Sequence, residues 1–266
     1  MKIYCKTRKS HRWNEDRFIN GRTFSIVLDG ATPLKKSGQF NEARWFVDYL
    51  KKNINRYDGD VKSRLRALSI DAYNNFPAEI KDGDYLPSAG ACWAEWNNET
   101  INIGILGDCE VTAVTNENEI LRFYDDRLRA LDSLAINEMV TVARENGTTV
   151  LEARKFINDL LIKHRKLINK PNGYSALTLS PNAKIFESSF SLKKDSIKTL
   201  YLYSDGFSQA FENLGIYKTH AEMFKHIENI DEEISKIVTA SFNDPDCDKH
   251  PRFKIIDDIT AVKIDF

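Results

Sequence analysis

The sequence predicts an α+β fold in which antiparallel sheets carry helices on their outer faces. Two observations predict it. Between Ser88 and Phe123, strand-like runs follow one another with no helix between them, and Asn97-Asn98 and Gly107-Asp108 sit where hairpin turns belong. Elsewhere the apolar period becomes helical, in blocks that do not alternate with single strands. A doubly wound parallel sheet would require that alternation.

Two strand candidates open the chain, Lys2 to Lys6 and Thr23 to Leu28, the second ending at Asp29-Gly30. A helix follows over about Asn41 to Asn53, where Ala43, Phe46, Val47, Leu50 and Ile54 keep helical spacing. The next helix, about Val61 to Asn75, carries Val61, Leu65, Leu68, Ala72 and Phe76 on one stripe, with Asp60 as its N-cap. The strand meander reads Ser88 to Trp96, Thr100 to Leu106, Glu110 to Val114 and Glu119 to Phe123. A helical stretch from about Ser133 to Ile168 breaks near Gly147, and Thr149 to Glu152 has the form of a capping box. Strands return at Tyr174 to Thr178, Ala183 to Ser189 and Thr199 to Tyr203. A helix around Ala221 to Ala240 and a strand from Ile259 to Phe266 complete the pattern.

The 266 residues are 42% apolar and 29% charged, which suits a globular protein with a substantial core. A net charge of −1 gives no global electrostatic case for nucleic acid or a membrane surface. There is no run of 18 apolar residues, so no spanning helix is expected, and MKIYCKTRKSHRW lacks the apolar core of a signal peptide. The four cysteines are scattered without a Cys-x-x-Cys pair, which argues against a disulfide framework or a structural zinc site. A reducing cytoplasm is the expected location. No repeat or linker divides the chain, so residues 1–266 read as one domain.

Asp-Gly occurs four times. Asp58-Gly59 and Asp82-Gly83 lie in polar surroundings and read as turns. Asp29-Gly30 and Asp205-Gly206 each follow a strongly apolar strand, where an unpaired charge is costly and something cationic must compensate. Glu15-Asp16 lies between the first two strand candidates, Asp108 in a tight turn, and Asp257-Asp258 before the last strand. Alone, each reads as a turn or loop acid. Together they are five places where acids meet strand ends, with no cluster of histidines or cysteines among them. An all-oxygen set of this kind suits a hard divalent ion, Mg²⁺ or Mn²⁺. Two such ions close together lower the pKa of a water and clamp a phosphoryl oxygen. The residues therefore point to metal-assisted hydrolysis, most naturally of a phosphoester.

These stretches resemble the ordered motifs of the metal-dependent protein phosphatases of the PPM, or PP2C, class, in its bacterial form. NEDRF (Asn14 to Phe18) resembles the family's first acidic motif and IVLDGAT (Ile26 to Thr32) its Asp-Gly motif. SAGACWAEW (Ser88 to Trp96) and ILGDCEV (Ile105 to Val111) are similar to its central strand and Gly-Asp turn. NGYSALTLS (Asn172 to Ser180), LYLYSDGF (Leu200 to Phe207) and DDITAVKI (Asp257 to Ile264) supply the remaining matches. The resemblance covers nearly the whole chain. It implies a four-layer αββα sandwich with a two-metal site at one edge. It further implies that Asp29 bridges two Mn²⁺ or Mg²⁺ ions, that Asp205 and Asp257 complete one shell, and that Glu15 and the Gly30 carbonyl serve the other. Asp16 matches an acid that holds ligands or metal-bound water, and Asp108 one linked to a weaker third metal. The implied reaction is hydrolysis of phosphoserine or phosphothreonine by a metal-bridging hydroxide, with a phosphorylated protein as substrate, no nucleic-acid or membrane partner, and a monomeric enzyme. The helical segment at about 133–168 falls where the family varies its flap.

The chain departs from the family at defined positions. Ala31 stands where many eukaryotic members have a leaving-group His. The phosphate-binding Arg position holds His11, with Arg12 one step later. Gln209 replaces a further Asp, and Cys109 a frequent Ser. Ala31 and the displaced Arg12 keep open a second reading, a catalytically weak or inactive regulatory relative, against which the full set of acids argues. An aspartyl nucleophile of the haloacid-dehalogenase type expects a second Asp two residues on, where Ala31 and Phe207 stand. Asp244, Asp246 and Asp248 are spaced like the start of an EF-hand loop, but Lys249 and Ile255 occupy its Gly and Glu positions, so they read as a solvated loop.

Overall fold

The computed structural model describes residues 1–33, 40–80 and 86–266; Asp82-Gly83 lies outside them. The chain runs β1 (Lys2–Arg8), β2 (Asp16–Asn20), β3 (Phe24–Ala31), α1 (Glu42–Asn53), α2 (Val61–Asn74), then β4 (Ser88–Trp96), β5 (Thr100–Leu106), β6 (Glu110–Thr115) and β7 (Ile120–Phe123). Helices α3 (Asp126–Asn146), α4 (Val150–Ala153) and α5 (Asn158–Arg165) follow, then β8 (Leu177–Thr178), β9 (Ser188–Lys193) and β10 (Ile197–Tyr203). Last come α6 (Asp205–Glu212), α7 (His220–His226), α8 (Ile230–Phe242) and β11 (Ile259–Asp265). The strands form two sheets, β1-β11-β10-β6-β7 and β2-β3-β4-β5-β9, with β8 added to β4. Every pairing is antiparallel.

Side-chain alternation builds the layers. In β3, Ile26 and Leu28 join the cluster that holds Phe46, Leu50, Leu65 and Leu68 of α1 and α2. Val27, between them in sequence, points the other way, into the cluster shared with Leu200 and Val262 of the opposite sheet. In β10, Leu200 and Leu202 face that inter-sheet core, while Tyr201 and Tyr203 pack on Phe224, Ile234 and Ile237 of α7 and α8. Because successive residues of a strand point to opposite faces, a strand buried on both sides must be mostly apolar, as Ile26 to Leu28 and Leu200 to Tyr203 are. The result is α1/α2, sheet, sheet, α6–α8: the αββα sandwich. Helices α3 to α5 stand apart on their own small core of Ala135, Met139, Ala143, Val150, Ala153 and Ile157.

Local chemistry sets the boundaries. Asn41 and Asp60 accept from Arg44 N and Ser63 N to cap α1 and α2. Gly147, at φ 62°, ends α3, and the Thr149–Glu152 capping box starts α4. Several expectations need correction. Strand β2 has the charged pattern DRFIN and was not foreseen; it is an edge strand whose outer side needs no apolar cover. Strand β3 continues through Asp29-Gly30 to Ala31 instead of ending there. The strand expected at Ala183 to Ser189 lies later, at Ser188–Lys193, and that at Tyr174 to Thr178 shrinks to two residues. The stretch expected from Ser133 begins at Asp126, where Asp125 caps it. The helix expected over Ala221 to Ala240 is two, because Asn229 caps a fresh start. Asp244 is not solvated: it is 8% exposed and accepts from Arg252 Nη1 at 2.6 Å.

Candidate functional site

The acids converge at one end of the sandwich, each delivered by a different element. Asp16 opens β2 and Asp29 lies directly across from it in β3. Asp29 is in turn opposite Gly90 of β4, and a Cβ on Gly90 would lie 3.1 Å from Asp108 Oδ1. Asp108 occupies the tight turn between β5 and β6. Asp205 is the first residue of α6, and Asp257 lies in the loop two residues before β11. Asp108, Asp205 and Asp257 line a cleft of about 360 Å³, and Asp132 of α3 lines it with them.

Electrostatics report the same convergence. Burial pushes Asp29 well above the ordinary carboxyl value, and Asp16, Asp205, Asp108 and Asp257 push it further. Asp205 is raised by burial and then by Asp257 and Asp108. Asp16, 1% exposed, is raised by burial and by Asp258 and Asp205, although Ser204 Oγ donates to its Oδ2 at 2.7 Å. Burial, with Asp132 beside it, raises Asp108 to about 7, and burial with Asp205 raises Asp132 to about 7. Two like unit charges roughly 4 Å apart repel by about 4 kcal/mol near a protein surface. Such a set cannot all ionise alone, and takes up either protons or cations.

The donors fit a hard divalent cation. Asp29, Asp108 and Cys109 bring ligand atoms within 4.8 Å of one another. A hydrogen bond with Cys92, together with burial, holds the Cys109 thiol well above its ordinary value, so it stays protonated and the carboxylates dominate the donor set.

The other expected residues take distinct positions. The Gly30 N–H donates to the Glu15 carbonyl at 3.1 Å, which ties β3 to the start of β2. The Glu15 carboxylate accepts from Thr32 Oγ1 at 2.5 and 2.6 Å and from Asn41 Nδ2 at 2.6 Å, so it faces the α1 end of the site. Arg12 is exposed and lies over the Trp13 ring at 4.8 Å, with Arg44 over the same ring at 4.7 Å. Arg12 is not among the residues lining the cleft.

Ser204, Asp132 and Lys254 escape sequence reasoning, and Asp258, seen there as a strand-end acid, takes a structural role. Ser204 bonds Asp16 and accepts from Thr260 N at 3.0 Å, joining β2, β10 and β11. Asp258 accepts from Ser10 N at 2.6 Å, Ser10 Oγ at 2.8 Å and Glu15 N at 2.6 Å, which fixes the loop carrying Glu15 and Asp16. Asp132 fell one residue before the expected helix start. Lys254 Nζ donates to Asp257 Oδ1 at 2.7 Å. A serine beside Asp205 and a lysine three residues before Asp257 are visible signals only once the acids are known to meet.

No model of a protein family matches the sequence, and no curated protein matches it. Solved structures do. The serine/threonine phosphatase PstP/Ppp of Mycobacterium tuberculosis aligns with a TM-score of 0.59 at 12% identity, covering 100% of this chain and 98% of that one. A serine/threonine phosphatase of Staphylococcus aureus aligns at 0.57 and 13% identity, covering 100% and 94%. The catalytic domain of PstP in complex with two manganese ions aligns at 0.55 and 14% identity, covering 99% and 97%. The chain therefore has the fold of the bacterial PP2C-type serine/threonine phosphatases over its full described length. Among the described residues no helix is long and apolar enough to cross a membrane.

Proposed function

We propose that this protein is a divalent-metal-dependent phosphatase acting on phosphoserine and phosphothreonine in proteins. One observation carries the proposal: the carboxylates of Asp16, Asp29, Asp108 and Asp205, from β2, β3, the β5–β6 turn and α6, are each raised by burial, and the charge of Asp257 in the loop before β11 acts on all four. A fold invests in such mutual repulsion when a cation relieves it. The manganese-bound structure of the same fold supports the choice of Mn²⁺ or Mg²⁺.

Asp29 would be shared by two ions. Asp205 and Asp257 would complete the shell of one, and Glu15 with the Gly30 carbonyl that of the other; Asp108 would serve a weaker third. Bound there, the ions supply a water made acidic enough to attack at neutral pH and a clamp on the phosphoryl oxygens. The chain's residues do the rest. Ser204 orients Asp16, and Asp258 holds the Glu15 backbone in place. Asp132, whose carboxyl burial and the charge of Asp205 push up to about 7, lines the same cleft as Asp205 and can carry a proton near neutrality, where Ala31 offers none. Arg12 contacts the phosphate only by leaving Trp13. Helix α3 forms one wall through Asp132, Ser133 and Ile136, so the 133–168 segment of this single domain acts as a flap that shapes access. A variant lacking 133–168 with unaltered turnover of a protein substrate would refute that role.

The test is hydrolysis of a phosphothreonine peptide with Mn²⁺ and with chelator, for wild type and Asp205→Asn. Mn²⁺-dependent release that the variant loses supports the phosphatase. Metal binding by calorimetry without any release would overturn it in favour of a regulatory relative that binds partners through this fold.

A further inference from the structure

Among the described residues three cations, Arg129, Arg252 and Lys254, line the cleft, and two of them are already committed. Arg129 Nη2 donates to Glu110 and forms an ion pair with Glu212 at 2.8 Å. Arg252, 3% exposed, uses its whole guanidinium: Nη1 bonds Asp244 and the His250 carbonyl, Nη2 the Ser241 and Asp244 carbonyls, and Nε the Ile255 carbonyl, over 2.6 to 3.1 Å. Lys254 differs. Its side chain is 43% exposed and its one hydrogen-bonded partner among the described residues is Asp257. Asp257 is also an acid that a metal ion would take over under the phosphatase reading. The buried Arg252 anchors the loop two residues away, so the Lys254 backbone is held while its four-carbon stem can move.

We infer that Lys254 binds the substrate's phosphoryl group once a metal ion has taken Asp257, supplying the cation that Arg12, stacked on Trp13, does not bring to the cleft. The inference rests on the phosphatase reading. Charge explains the order of events. Without metal, the surrounding carboxylates repel a phosphate dianion and Lys254 neutralises one of them. With metal on Asp257, the ammonium loses its partner and faces a site that now attracts anions. A lysine is a mobile point charge suited to that exchange, whereas a bidentate arginine would hold the carboxylate more firmly.

The experiment is calorimetric titration of inorganic phosphate into the Mn²⁺-loaded full chain, for wild type, Lys254→Met and Lys254→Arg, beside KM for the phosphothreonine peptide. The expected result is phosphate binding that needs Mn²⁺, weakens about tenfold in Lys254→Met, and is weakened less in Lys254→Arg, which keeps the cation but holds Asp257 more firmly. Mn²⁺ affinity should be equal or higher in Lys254→Met, because a competitor for Asp257 is gone. Equal phosphate affinity in wild type and Lys254→Met, or no phosphate binding by the loaded wild type, overturns the assignment. Absence of peptide turnover, with Lys254-dependent phosphate binding intact, would instead count against the phosphatase reading alone.

Discussion

Asp29-Gly30 and Asp205-Gly206 look alike in sequence and are built differently. Both follow an apolar strand, and both present a carboxylate to the same cluster. At Asp29 the strand does not stop: residues 29–31 stay paired with Gly90, Ala89 and Ser88. At Asp205 the strand gives way at once to helix α6, so the carboxylate sits in a first turn, where the helix dipole favours negative charge. Each glycine is required by backbone proximity. A Cβ at Gly30 would lie 2.7 Å from the Glu15 carbonyl oxygen, and one at Gly206 only 2.0 Å from that of Asp258. Asp58-Gly59 is a third case: its glycine has φ 102° and is needed for conformation, since an added Cβ would meet only Ser63 Cβ at an ordinary 3.5 Å. One dipeptide thus answers three demands, and only the first two belong to the site. At both, a neighbouring motif's backbone presses on the glycine, so the site is assembled by main-chain contact between motifs distant in sequence.

The largest effect should come from closing the tighter of the two approaches. Gly206→Ala drives a methyl into backbone and should destabilise by about 3 kcal/mol or more, against roughly 1–2 kcal/mol for Gly30→Ala, where the gap is wider. Chemical denaturation would measure both; equal costs would break the comparison.

The carboxylates should behave as a pair where the glycines do not. Asp29→Asn and Asp205→Asn should each weaken Mn²⁺ binding by on the order of a hundredfold or more, since even supporting residues of metal sites cost about that much. In chelator the same variants should melt at higher temperature than wild type, because each removes a repelled charge. Variants that melt lower without metal would show that these acids stabilise the fold rather than burden it.

The pH dependence sharpens this further. Asp108 and Asp132 titrate at about 7 in the fold against an ordinary 3.8, so between those values the folded state holds more protons than the unfolded. Stability of the metal-free protein should therefore be full below about pH 4 on this account and fall as pH rises through 7. Mn²⁺ affinity should climb over the same window as it displaces protons. Thermal melts with chelator and with Mn²⁺ check both signs, and Asp132→Asn should flatten the chelator curve. The smallest effect belongs to Gly59→Ala, about 1 kcal/mol of stability with Mn²⁺ binding unchanged.

Much of this was legible in the chain. Strands β4 and β5 and helix α2 with its Asp60 cap follow from periodicity and capping chemistry, because those signals are local and the elements are long. Strand β2 and helix α6 were not legible. DRFIN is a strand because β3 offers it an edge, and DGFSQAFE is a helix because Phe207 and Ala210 have a buried place among α7 and α8. The acids were visible one by one as strand-end carboxylates. That the sequence held a candidate all-oxygen metal set followed from residue type alone: carboxylates without histidine or cysteine partners. That the carboxylates meet, that Asp132, Ser204 and Lys254 meet them, and that Arg12 turns to Trp13 is set by the folded chain alone. Charge repulsion and hydrogen bonding act over a few ångströms of space, and those distances exist only after residues as distant as Glu15 and Asp258, 243 positions apart, have been brought into contact.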